Sequence, residues 1–152
     1  MGVAMTETVI LPPEGRRPRG SLIPPLLIIP FLIYNALAFT LYGGKPDGWA
    51  SQVFGVNMVS GTPWTLTSGD LLLVVGLVCL FFEVLKSTNT GRSSVIEHML
   101  STALFVIFVV EFLLAGAAAS SVFFLLTVMS LVDVVAGFTI SITGAGRDVT
   151  MA

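Results

Sequence analysis

The chain has 152 residues, of which 55% are hydrophobic and only 11% charged, and its net charge is −2. Soluble domains carry about 25% charged residues, and a chain this short cannot hide so much apolar surface in one water-facing globule. With a mean hydropathy of +0.96, the excess is expected to face lipid. Nucleic-acid binding is excluded as an expectation, since no basic stripe tracks a phosphate backbone.

Residues 1–21 read as a basic, Pro-containing tail that runs up to a membrane. The apolar run that follows, 22–42, is expected to be a first span. A signal peptide would also fit Arg16, Arg17 and Arg19 ahead of an apolar core, with Ala36-Leu37-Ala38 as its cleavage site. The run continues past that site to Tyr42, which favours a retained span. Pro24, Pro25 and Pro30 predict an irregular or kinked first half.

The segment 43–68 reads as an outer loop. Trp49, Val53, Phe54 and Met58 recur at near-helical spacing, which predicts a short amphipathic helix at the lipid surface, anchored by Trp49 and Trp64. A second span is expected over 69–87. Thr67 caps it, with Asp70 three residues on to suit the helix dipole. After a polar break at 87–94, Ser94 and Glu97 form an S-x-x-E capping box. The stretch from Val95 to Thr143 is far too long for one crossing of roughly 20 residues. The run Gly116–Ser121 (GAAASS) is where it should fold back, giving spans at 95–116 and 120–143 joined in a tight hairpin. A polar tail, 144–152, closes the chain.

The expected architecture is therefore all-α: an integral membrane bundle of four transmembrane helices. If the N-terminus lies inside, Arg16, Arg17, Arg19, Lys86, Arg92 and Arg147 share the cytoplasmic side and only Lys45 lies outside. That bias predicts both termini in the cytoplasm, with a bacterial inner membrane as the expected setting.

Besides the capping residues Asp70 and Glu97, three acids fall inside the expected spans. Asp133 lies within about 3 Å of the middle of its span, Glu111 roughly 7 Å to the outer side and Glu83 about as far to the inner side. Tyr34 and Asn35 stand near the middle of the first span, which has no acid. Helical spacing puts Ser130, Asp133, Gly137 and Ser141 on one side of the fourth span. Glu97, Leu104, Glu111 and Ala115 share a stripe on the third, and Gly76, Cys79 and Glu83 on the second. Small and polar residues in such stripes are contact surfaces. An ionised acid at mid-membrane costs about 2.5–3.5 kcal/mol even on insertion-based scales, so each acid is expected to be protonated, hydrogen-bonded or paired. Glu83 is expected to reach towards the inner surface near Lys86.

Enzyme signatures are lacking. Glu97 and His98 are adjacent and so do not present two ligands on one helical face, and no second histidine completes a haem or metal site. His98 is expected at the membrane surface. Lone Cys79 reads as a small buried hydrophobe. No cofactor or metal is expected. The span count and intramembrane carboxyls resemble those of the small multidrug-resistance transporters, but in that family the acid stands in the first span, so no site residue is carried over. The expected function is a non-enzymatic membrane protein that works in the bilayer as a homo-oligomer or as a small accessory subunit beside other membrane proteins, with its carboxyls used in helix packing and partner recognition. The alternative is a small proton- or cation-coupled transporter or channel using Asp133 and Glu111.

Overall fold

The computed structural model describes residues 24–88 and 92–150, with side chains omitted at 92–95 and 144–150. The basic tail, the Ser94 side of the expected capping box and the Arg92 and Arg147 side chains fall outside that description. The fold is mostly helical: α1 (Ile28–Thr40), α2 (Ser68–Ser87), α3 (Arg92–Leu114) and α4 (Ser121–Thr150), with a two-stranded hairpin, β1 (Gln52–Asn57) and β2 (Pro63–Thr67), between α1 and α2. Three of the helices are long and apolar enough to cross a membrane: Ser68–Ser87, Ile96–Leu114 and Ser121–Thr143.

The first helix departs from the expected span at 22–42. It has 13 residues, about 20 Å against a hydrocarbon thickness of about 30 Å. Pro24 and Pro25 supply no N–H and disfavour helix in the residue before each, so the chain makes a turn at Leu26–Leu27 before the helix begins at Ile28. Pro30 is accommodated as the third helical residue, where an N–H has no intrahelical partner in any case.

The expected surface helix over residues 49–58 does not form. A 3-10 turn spans Pro46–Ala50, and the residues after it pair as antiparallel strands. The apolar residues that mimic a helical period lie in a β-branched and aromatic run, Val53-Phe54-Gly55-Val56, followed by a turn at Met58–Gly61 and by Pro63. These favour a hairpin over a helix. At the C-terminal end, the α4 backbone continues to Thr150, past the expected stop at 143.

The α2 start is as expected. Thr67 Oγ1 accepts from the Asp70 N–H at 3.1 Å, and Asp70 Oδ2 accepts from the Thr67 N–H at 2.9 Å. The fold-back is there too: a 3-10 turn at Gly116–Ala118 joins α3 to α4, and Ser120 Oγ caps α4 by accepting from the Phe123 N–H at 3.1 Å.

The helices pack in the ring order α1–α2–α4–α3, with α4 closely apposed to both α2 and α3. Glycines permit that approach. A Cβ at Gly76 would meet Leu126 Cδ2 at 2.8 Å and Met129 Sδ at 3.0 Å, and one at Gly137 would meet His98 Nδ1 at 2.6 Å and Cε1 at 2.7 Å. The α1–α3 side is filled by large side chains instead. Phe31 of α1 meets Phe108 of α3 edge-on at 4.8 Å, Phe123 of α4 lies 5.4 Å from Phe108, and Tyr34 lies 4.7 Å from Phe123. Phe108, Phe123 and Tyr34 are fully buried, and burying one such side chain stabilises by about 1.5–3 kcal/mol. The lipid-sized residues Leu77, Phe81, Val106, Val110 and Val135 point outward.

The two glycine contacts differ in what they touch. Flexible ends of Leu126 and Met129 can yield to a methyl group, whereas the imidazole edge of His98 is rigid. Gly137→Ala should therefore cost about 1–3 kcal/mol by overpacking and Gly76→Ala distinctly less. Comparing the unfolding of the two purified variants checks the order.

Candidate functional site

Apart from Thr127, whose hydroxyl donates to Phe123 O of its own helix, the buried and half-buried polar side chains of the bundle gather at two levels, separated by the aromatic layer of Phe31, Phe108 and Phe123. One level lies at the hairpin end, near the α3–α4 turn. The other lies towards the far end, where α1 begins and α2 stops.

At the far level Glu83 is 2% exposed. Its Oε2 accepts the Leu26 N–H at 2.9 Å, and its Oε1 is paired with Lys86 Nζ at 2.7 Å. Lys86 also reaches Glu97 Oε2 of α3 at 3.7 Å. After two prolines, Leu26 carries the first amide proton of the segment entering α1, a position where no intrahelical acceptor exists. The Glu83 carboxylate supplies that acceptor. It is thus an interior anchor joining α2 to the start of α1, rather than a residue reaching out to the surface as expected.

Asp133 is 4% exposed and stands on the α4 stripe with buried Ser130 and Gly137. The hydroxyl of Ser101 on α3 hydrogen-bonds its carboxyl, and Glu83 and Lys86 lie near enough to act on its charge. One turn before Ser101 is His98, also buried. Its Nε2 lies 2.7 Å from Ser141 Oγ, and its ring covers Gly137 and meets Phe138 at 5.9 Å. His98 thus packs into the α3–α4 seam near the start of α3. His98, Ser101, Leu104 and Phe108 share a helical face, and the structure sets it against Gly137 and Ser141, one turn apart on α4. Those four are the buried face of α3, whereas Glu97, Glu111 and Ala115 of the expected stripe are half-buried at its edge.

At the hairpin level Glu111 accepts from Asn35 Nδ2 at 3.2 Å, and the same amide donates to Phe31 O at 3.2 Å. Tyr34 does not sit between the acids. Its hydroxyl donates to Ala117 O at 2.8 Å and lies 2.7 Å from Ser120 Oγ, which pins α1 to the α3–α4 turn. Trp49, expected as a lipid anchor, is buried: its indole stacks on Tyr34 at 4.5 Å, and among the described residues its Nε1 has no hydrogen-bond acceptor. Trp64 is about half exposed on β2. An open groove of about 410 Å³ at this end is lined by Asp47, Trp49, Thr67, Asp70, Ser120 and Val122, but Asp70 is already committed to capping α2.

The expected inside-to-outside stagger of Glu83, Asp133 and Glu111 is thus two neighbours and one outlier. Ten residues of α3, roughly 15 Å, separate Ser101 at the Asp133 level from Glu111, with Phe108 packed between. Among the described residues no three His, Cys, Asp or Glu side chains are grouped to hold a metal ion. No family model, curated protein or solved structure matches the chain.

Removing Glu83 should unseat α1 first. Glu83→Ala leaves the Leu26 N–H and Lys86 unmatched, with an expected loss of about 3–5 kcal/mol. Glu83→Gln, which keeps an acceptor but loses the charge, should fall between. Amide exchange at Leu26–Phe31 should accelerate in both, while protection near Ala117–Phe123 stays unchanged; equal acceleration at both ends would contradict the anchor role.

Proposed function

We propose that the chain is a non-enzymatic integral membrane protein that works as a homo-oligomer or as a small subunit of a larger membrane complex, its carboxyls serving helix packing and partner recognition. The observation that carries this reading is that every acid inside the bundle is met by a donor on a different element. Glu83 takes the Leu26 N–H and Lys86, Asp133 takes Ser101, and Glu111 takes Asn35. Groups committed in this way tie helices together. The aromatic layer between Asp133 and Glu111 argues against a continuous proton file, which needs donors and acceptors within about 3 Å of one another. Glu111, half-buried at the side-chain-filled α1–α3 edge with one neutral donor, is the acid best placed to meet a helix of a partner.

A proton- or cation-coupled transporter using Asp133 and Glu111 is the second reading. It is favoured by Asp133 itself, a buried acid with Glu83 nearby and a neutral hydroxyl as its hydrogen-bond partner.

The proposed setting is the inner membrane of a bacterium, with both termini in the cytoplasm. Native mass spectrometry of the protein extracted gently from its own membrane tests the assembly. A stable homo-oligomer or a complex with other subunits is the expected result, and a monomer at all concentrations would contradict it. Asp133→Asn keeps a hydrogen-bonding side chain of the same size, so the variant should retain the fold and assembly. Ion flux in liposomes that is present in the parent and abolished in this variant would instead establish the second reading.

A further inference from the structure

Among the described residues the hairpin is the element that buries no side chain: all six residues of β1 are exposed, and β2 is exposed until Leu66. Its register sorts the side chains into two faces. Phe54 pairs with Leu66 and Val56 with Trp64, while Gly55 pairs with Thr65 and Asn57 with Pro63. Directly opposed residues of an antiparallel pair point to the same side, and neighbours along a strand to opposite sides. Phe54, Val56, Trp64 and Leu66 therefore form one apolar face. Gly55, Asn57 and Thr65 form the other, where Gln52 folds against Gly55.

No charged residue or histidine occurs between Asp47 and Asp70. The root of the hairpin is fixed to the first residue of α2: the Ser68 N–H donates to Ser51 O at 2.9 Å, and the two serine hydroxyls lie 3.0 Å apart. The apolar face thus begins where a membrane-length helix begins. We infer that the hairpin lies flat on the bilayer interface, with Phe54, Val56, Trp64 and Leu66 inserted among the lipids and the Gln52–Asn57–Thr65 face turned to water.

This rests on the membrane-spanning reading proposed above. An isolated two-stranded hairpin is marginal in water and gains stability by laying an apolar face on a surface. In the headgroup layer, water still satisfies the free strand edges, which hydrocarbon would not. An indole with one apolar and one polar side belongs at that depth. A second copy adding a strand is the less favoured occupant. The register shift at Val53 leaves an extra residue in β1, and Pro63 heads β2; both features blunt edge pairing.

Spin labels at Val56→Cys and Asn57→Cys test the orientation in the full-length protein reconstituted in phosphatidylcholine vesicles, with Leu77→Cys on the outward face of α2 as reference. The unsubstituted chain, with its buried Cys79, sets the labelling background. Oxygen concentrates in lipid and a nickel chelate in water. The oxygen-to-nickel collision ratio should be several-fold higher at position 56 than at 57 and close to that at 77, and Phe54→Cys should repeat the result for 56. Equal, nickel-dominated collisions at 56 and 57 would overturn the inference while leaving the membrane reading intact. So would shielding of 56 from both reagents that is relieved by dilution into excess lipid, which would assign the face to a second copy or another protein. A nickel-dominated reference at 77 would instead bring down the membrane reading itself.

Discussion

A carboxylate shut away from water must be met by a donor, and this requirement organises the bundle. Glu83 is the clearest case. It stands on the same face of α2 as Leu72, Gly76 and Cys79, the face that packs inward, and so has no route to solvent. What it finds is an amide proton that also lacks a partner, that of Leu26, together with Lys86. Two groups that would each be costly alone satisfy one another. Their union fixes where α1 starts, and Lys86 carries the link across the bundle to Glu97 of α3.

The rest of the packing divides into two modes. Where α4 meets α2 and α3, small residues let the backbones approach, and polar side chains such as Ser101, His98 and Ser141 fit in the narrow seam. Where α1 meets α3, the backbones stay apart and Phe31 and Phe108 fill the space, while Tyr34 packs between Phe123 of α4 and Trp49. A short helix of 13 residues makes few backbone contacts, so its start is held by Glu83 through the Leu26 N–H. Its middle is held by ring packing, by the Tyr34 hydroxyl on the α3–α4 turn and by Asn35 on Glu111.

That division bears on function. The aromatic layer keeps the level of Asp133 and Glu83 apart from the Glu111 level. The edge that relies on side chains rather than close backbones, α1–α3, also carries the least enclosed acid. An assembly that adds a helix there would complete its packing.

The sequence by itself determined the three helices long and apolar enough to cross a membrane, the start of α2 and the fold-back between α3 and α4. Long apolar runs at α2, α3 and α4 admit no other element. Thr67 with Asp70, and the small-residue run from Gly116 to Ser121, are local signals whose partners lie within a few residues. The inward faces of α2 and α4 were legible for the same reason: Gly76-Cys79-Glu83 and Ser130-Asp133-Gly137 follow the helical period. Tertiary structure decided what depended on distant partners. Periodicity placed the third-span stripe one residue away from its buried face, because Leu and Phe are apolar on every side of α3 and only apposition to Gly137 and Ser141 selects the His98–Ser101–Phe108 side. Apolar spacing in residues 49–58 could not separate a helix from a bulged strand, and pairing with 63–67 settled it. Nor could spacing show that Trp49 turns inward onto Tyr34, or that Glu83 meets an amide 57 residues away. A hydrogen bond across that separation leaves no trace in local sequence, since nothing in either segment alone fixes their distance.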